Sequence, residues 1–122
     1  MSTKLSPKFI YWALACAWML VLFYFSSQSE SGALSLLSLV PFGDKLIHAS
    51  VFGILAFFLY MATDNPRLAV TLTVLYGLSD EFHQHFVPGR QVDVFDWLAD
   101  TVGAIAVVLL LEYIYAKRRQ ST

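Results

Sequence analysis

Between Asp80 and Asp100 the chain carries five acids, two histidines and an arginine, set between two strongly apolar segments. Charged groups beside membrane-grade hydrophobicity are expensive, and where they occur they mark function or mutual pairing. Glu81, Gln84 and His85 stand at i, i+3 and i+4, so a helix places them on one face, with Asp80 and His83 flanking it. The Glu81/His85 pair has the spacing of helical metal ligands, but only His48 or an Asp of the fourth helix could add a third, and no metal or cofactor is assigned. His83 reads as an ordinary imidazole near a helix end. Arg90 follows Pro88-Gly89, a turn signal, and its planar fork of donors suits a carboxylate or a phosphate. Asp93, Asp96 and Asp100 stripe one face of the following helix. Arg90 neutralising Asp93 or Asp96 is the plain structural alternative, while Asp100, one turn deeper, needs protonation, water or a partner such as His48.

Asp44 and His48 form a second i, i+4 pair, with Lys45 beside them. Two readings stay open for Asp44: an acid that orients His48, or the N-cap of its helix with Lys45 snorkelling to the surface. Cys16 lies alone in an apolar run and reads as a small hydrophobe. No Ser or Cys is placed by a recognisable nucleophile motif.

Four apolar segments must position these groups. Residues 9–25 carry no charge and extend roughly 26 Å at ~1.5 Å per residue, close to the hydrocarbon thickness of about 30 Å. This run is long for a signal peptide and is not closed by a small-x-small cleavage site. Segments 46–62 and 94–116 follow the same rule, whereas 67–86 is apolar only to Leu78 and continues as a polar helix. The expected fold is all-α, a single membrane domain over 1–122 built as a bundle of four transmembrane helices. The segment 26–43 is too short in apolar length to span and suits an interfacial or re-entrant piece. Ala49-x-x-x-Gly53 and Ala99-x-x-x-Gly103 are small-xxx-small pairs at the depth of His48 and Asp100, and they predict close approach of the second and fourth helices. Trp12, Trp18, Trp97 and the tyrosines read mostly as interfacial anchors.

Composition agrees with this class. Of 122 residues, 57% are hydrophobic and 14% charged, with a mean hydropathy of +0.61; a soluble domain would be about a quarter charged. The net charge of −1 decides nothing about a nucleic-acid partner, but the few bases sit mostly at the chain ends without interleaved aromatics, which argues against one. Lys4, Lys8, Arg67, Lys117, Arg118 and Arg119, six of the eight bases, fall on one side of a four-span topology. The positive-inside rule makes that side, with both termini, cytoplasmic. The polar patch then faces outward.

Asp44-Lys45-x-x-His48, Glu81-x-x-Gln84, Pro88-Gly89-Arg90 and Asp96-x-x-x-Asp100-x-x-Gly103 together resemble the VanZ-like family of small membrane proteins. Ser26-Ser27-Gln28-Ser29 is similar to that family's polar stretch after the first span. The resemblance runs from about Phe9 to Leu111, carried by the order and spacing of the motifs. One departure stands out: the family commonly has Asn where this chain has Asp100, which adds a titratable group. The resemblance implies a multi-pass protein of the bacterial cytoplasmic membrane, related to low-level teicoplanin-type resistance. The expected function is an outward polar site, formed by Asp44, His48, Glu81, Gln84, Arg90, Asp96 and Asp100. It would bind a lipid-linked envelope component or a lipoglycopeptide, with Arg90 and His48 holding an anionic head group. The alternative is an intramembrane enzyme acting on a lipid or head-group linkage, with His48 or Glu81 as acid/base and Asp96 or Asp100 as partner. A proton- or ion-coupled transporter is a weaker third reading, because no polar path continues through the other half of the bundle.

Overall fold

The computed structural model describes residues 7–27, 43–89 and 92–121. They form four helices, α1 (Pro7–Ser26), α2 (Gly43–Thr63), α3 (Pro66–Gln84) and α4 (Val94–Ser121), and no strand occurs among the described residues. The expected all-α bundle is therefore present, and the interfacial segment expected over 26–43 lies almost entirely outside the described residues. Three helices, α1, α2 and α4, are long and apolar enough to cross a membrane. The third segment, counted as a span although apolar only to Leu78, does not meet that measure. Its last turns, Ser79-Asp80-Glu81 and His83-Gln84, are polar. It is held beside α2 and α4 by packing instead.

The turn between α2 and α3 shows how local chemistry sets the bundle. Asp64 adopts a left-handed φ of 54° and its N–H bonds the Tyr60 carbonyl at 2.9 Å, a common way to end a helix. Asn65 then caps α3, its side chain accepting the Leu68 N–H at 3.1 Å. Pro66 occupies the first helical position, where its missing N–H is harmless. At the far end of α3, Gly89 takes the positive φ (81°) that its turn needs.

Lys8 at the start of α1 lies 3.2 Å from Asp64, and Tyr60 late in α2 donates to Glu112 late in α4 at 2.8 Å. Ser27 after α1 meets His83 near the end of α3 at 2.9 Å. The N-terminal end of α1 and the C-terminal end of α4 thus share one end of the bundle. The polar residues gather at the other.

The core runs along α2. Phe52, Leu55, Ala56 and Leu59 are buried against Ala15, Ala69, Ala104 and Val108. The outer faces of the helices stay apolar, as lipid contact requires: Leu20 is 71% exposed and Leu109 63%. Trp18 and Trp97, expected as interfacial anchors, instead tie helices together. Trp18 Nε1 donates to Val51 O at 2.9 Å and Trp97 Nε1 to Val74 O at 3.1 Å. In a bundle without a hydrophobic driving force between helices, such bonds and tight packing supply the cohesion.

The tightest packing is between α2 and α4. A Cβ at Gly103 would lie 2.1 Å from the Ala49 carbonyl oxygen and 2.7 Å from its Cα. A Cβ at Gly53 would meet Val107 Cγ2 at 2.9 Å. The first clash is with backbone and cannot be relieved by a rotamer; the second can. Gly103→Ala is predicted to destabilise the protein by about 1–3 kcal/mol through overpacking, and Gly53→Ala by less. Thermal unfolding of both variants in detergent checks this order.

Candidate functional site

The site forms where α2 begins, α3 ends and α4 begins. Two side-chain stripes interlock across the α2–α4 contact. On α2 the stripe is Lys45 and His48, at i and i+3. On α4 it is Asp96 and Asp100, at i and i+4. Lys45 Nζ lies 2.6 Å from Asp96 Oδ1, 2.8 Å from Asp93 Oδ2 and 2.9 Å from Asp44 Oδ2. His48 Nδ1 lies 2.9 Å from Asp100 Oδ1, and its Nε2 faces Asp96 Oδ2 at 3.7 Å. An ionised carboxylate only accepts, so the ring donates from Nδ1 to Asp100. Asp100 is completely buried. Gly77 of α3 closes over it, since a Cβ there would stand 3.2 Å from Asp100 Oδ2.

Asp93 precedes α4 and caps it. Its Oδ1 accepts the Phe95 N–H at 2.9 Å, the role that a short acidic side chain performs at a helix start. The Lys45 ammonium bonded to its other oxygen holds the Asp93 carboxyl below the usual carboxylate range, against a smaller opposing effect of burial. The Asp93 N–H donates to Glu81 Oε2 at 3.2 Å, which fastens the end of α3 to the start of α4. Glu81, Gln84 and Asp80 are all buried on α3. Two buried oxygens of the cluster, Glu81 Oε1 and Asp100 Oδ2, have no hydrogen-bond partner among the described residues.

The structure brings His48, Glu81, Asp96 and Asp100 to one end of the bundle, with Gln84 buried one turn beyond Glu81 on α3. Asp44 does not orient His48. It is half-exposed and bonds Lys45, while the acid on His48 comes from α4. Lys45, read as snorkelling, turns inward to three carboxylates instead. Arg90 lies outside the described residues. His85 stands at the C-cap of α3, exposed and edge-on to Phe86. Among the described residues no group of three or more His, Cys, Asp or Glu side chains is arranged to hold a metal. Sequence reasoning placed Asp93 on the acidic stripe with Asp96 and Asp100 but left it, and Lys45, out of the site. The signal was present, because Lys45/His48 on one helix matches Asp96/Asp100 on another in spacing and in charge.

His83 also does more than a surface imidazole. Its ring stacks on Phe23 with centroids 4.5 Å apart, and Nε2 lies 2.9 Å from Ser27 Oγ. The Ser27 hydroxyl donates to Phe23 O at 2.8 Å, so the imidazole is the donor to Ser27 and the pair ties α1 to α3.

These features define a multi-pass helical membrane protein with a carboxylate-rich polar site at one end. The VanZ/LLP1 family model matches residues 10–115, and the chain belongs to that family. An uncharacterised protein of Schizosaccharomyces pombe is 40% identical over 86 residues, which cover 66% of this chain and 52% of the yeast protein. The chain therefore spans about half the length of that relative. No solved structure matches the chain.

Removing one member of a buried ion pair leaves an uncompensated charge, at about 3–5 kcal/mol; an exposed pair contributes about 0–1 kcal/mol. His48→Ala is accordingly predicted to destabilise the protein far more than Asp44→Ala. Unfolding midpoints of the two variants in the same detergent test the difference.

Proposed function

We propose that the protein is an envelope membrane protein whose polar end faces outward and binds the head group of an amphiphile, a lipid-linked envelope component or an amphiphilic antibiotic. The observation that carries this reading is the buried His48–Asp100 pair beneath the Lys45 cluster, at an end of the bundle also rimmed by apolar side chains. Phe82 and Phe95 are each 69% exposed and Phe86 67%, so polar groups and acyl-chain surface stand at one level. A head group with its chains attached fits such a boundary. The orientation is supported by the bases: Lys8, Arg67 and the run Lys117-Arg118-Arg119 belong to the opposite end, which the positive-inside rule makes cytoplasmic. Placement in a bacterial cytoplasmic membrane belongs to this proposal, as does the contribution of Arg90 to the site.

His48, expected to hold an anionic group, is instead engaged by two acids of the chain. Both nitrogens of its imidazole are directed at carboxylates, Nδ1 at Asp100 and Nε2 at Asp96, and the Lys45 ammonium is shared among three acids. Recognition then falls to the carboxylates, with Gln84 and Arg90 as the remaining polar groups.

One observation favours a second reading, the intramembrane acid/base enzyme. A histidine oriented through Nδ1 by a buried aspartate is the arrangement that aims Nε2 at a proton. In that case Asp100→Asn leaves the protein folded and abolishes activity on a lipid or head-group linkage, whereas a binding site loses function by degrees.

Lipoglycopeptide susceptibility of a sensitive host expressing wild type, Glu81→Gln or Arg90→Ala tests the first reading. Protection by wild type is expected, reduced in both variants at equal membrane levels. A well-expressed wild type that gives no protection rules out the antibiotic-related form of the proposal.

A further inference from the structure

Glu81 is only 5% exposed. One carboxyl oxygen accepts the Asp93 N–H, while the other, Oε1, is buried with no donor among the described residues. The bond to Asp93 holds this carboxyl at the start of α4, within electrostatic reach of Asp96 and His48. Asp100 Oδ2 is likewise buried and without a donor among the described residues, but α3 closes over it: a Cβ on Gly77 would stand 3.2 Å from that oxygen and 3.3 Å from Trp97 Cδ1. An ionised carboxylate oxygen can only accept, and a buried acceptor left unmet is unfavourable. Lys45 and His48 are already engaged by Asp44, Asp93, Asp96 and Asp100. Among the described residues these two oxygens lack a donor, and a positively charged one would offset the surrounding acids.

The geometry points to an ammonium group as the ligand chemistry of this site, carried by an amphiphile and accepted by Glu81 Oε1 beside the Lys45–Asp93–Asp96 network. Phe82 and Phe86, on α3 next to Glu81 and edge-to-face at 5.3 Å, offer the apolar surface for the body of that amphiphile. Lys45 shows that the neighbouring Asp44, Asp93 and Asp96 accept an alkylammonium, and the ligand supplies a second one to Glu81. The assignment rests on the head-group site proposed above and names what that site selects. The same ammonium chemistry is offered by an aminolipid head group and by an amine-bearing lipoglycopeptide.

The test uses the full chain in detergent micelles, with ligand titrations read as shifts of the unfolding midpoint. The probes are short-chain phosphatidylethanolamine, its N-acetylated form, phosphatidylglycerol with the same chains, an amine-bearing lipoglycopeptide and its N-acetylated form. At least one amine probe is expected to raise the midpoint, with N-acetylation or Glu81→Gln weakening apparent affinity roughly 10- to 100-fold, as for loss of one charge-assisted bond. Glu81→Asp, which keeps the charge, is expected to recover part of the loss and separates recognition from misfolding. The probe that binds identifies the source, lipid or antibiotic. Phosphatidylglycerol binding as tightly as the aminolipid, or an amine preference that survives Glu81→Gln, overturns the ammonium assignment while leaving a head-group site standing. No midpoint shift with any probe overturns both.

Discussion

Carboxylates carried to the edge of a hydrocarbon layer have to be neutralised from within the protein, and the α2–α4 contact is built around that requirement. Asp96 and Asp100 descend one face of α4, the second of them into a position with no access to solvent. His48 and Lys45 descend α2 at the matching spacing and meet them at 2.9 and 2.6 Å. The pairing demands that the two helices approach closely. Gly103 provides this, its Cα side lying directly on the Ala49 backbone. Packing and electrostatics are therefore one constraint: a side chain at Gly103 would part the helices at the depth where His48 has to reach Asp100.

The remaining elements follow from this contact. The capped turn at Asp64-Asn65-Pro66 returns the chain so that α3 runs back along α2 and brings Glu81 to the start of α4. Asp93 serves both as cap of α4 and as partner of Lys45, so the helix start and the charge cluster are set by one residue. Because α3 ends in polar residues, it depends on its neighbours more than α1 does. Gly77 lets it lie against Asp100, and Trp97 holds it through the Val74 carbonyl.

Much of this was legible in the amino-acid sequence. The apolar runs located all four helices, since membrane thickness leaves little freedom in length. The small-xxx-small pairs identified the helices that touch, and the i, i+4 stripe identified the face of α4 that turns inward. The partners were harder to read. A local i, i+4 pair, Asp44/His48, competed with the tertiary pair His48/Asp100, and sequence spacing cannot tell which acid lies closer in space. Lys45 carries a long flexible chain able to snorkel outward or turn inward, and only the three acids assembled from α2, α4 and the residue before it decide the direction. The indoles of Trp18 and Trp97 look alike whether they face head groups or carbonyls of neighbouring helices.

The polar site depends most on His48 and Asp100 stabilising one another across α2 and α4. A double-mutant cycle with His48→Ala, Asp100→Ala and the double variant, each followed by reversible unfolding in the same detergent, measures that coupling directly. The structure predicts a coupling at the upper end of the range for directly contacting residues, about 2–3 kcal/mol, with the double variant more stable than the sum of the single losses implies. Additive losses, with coupling below about 0.5 kcal/mol, would contradict a buried pair and remove the basis for the site.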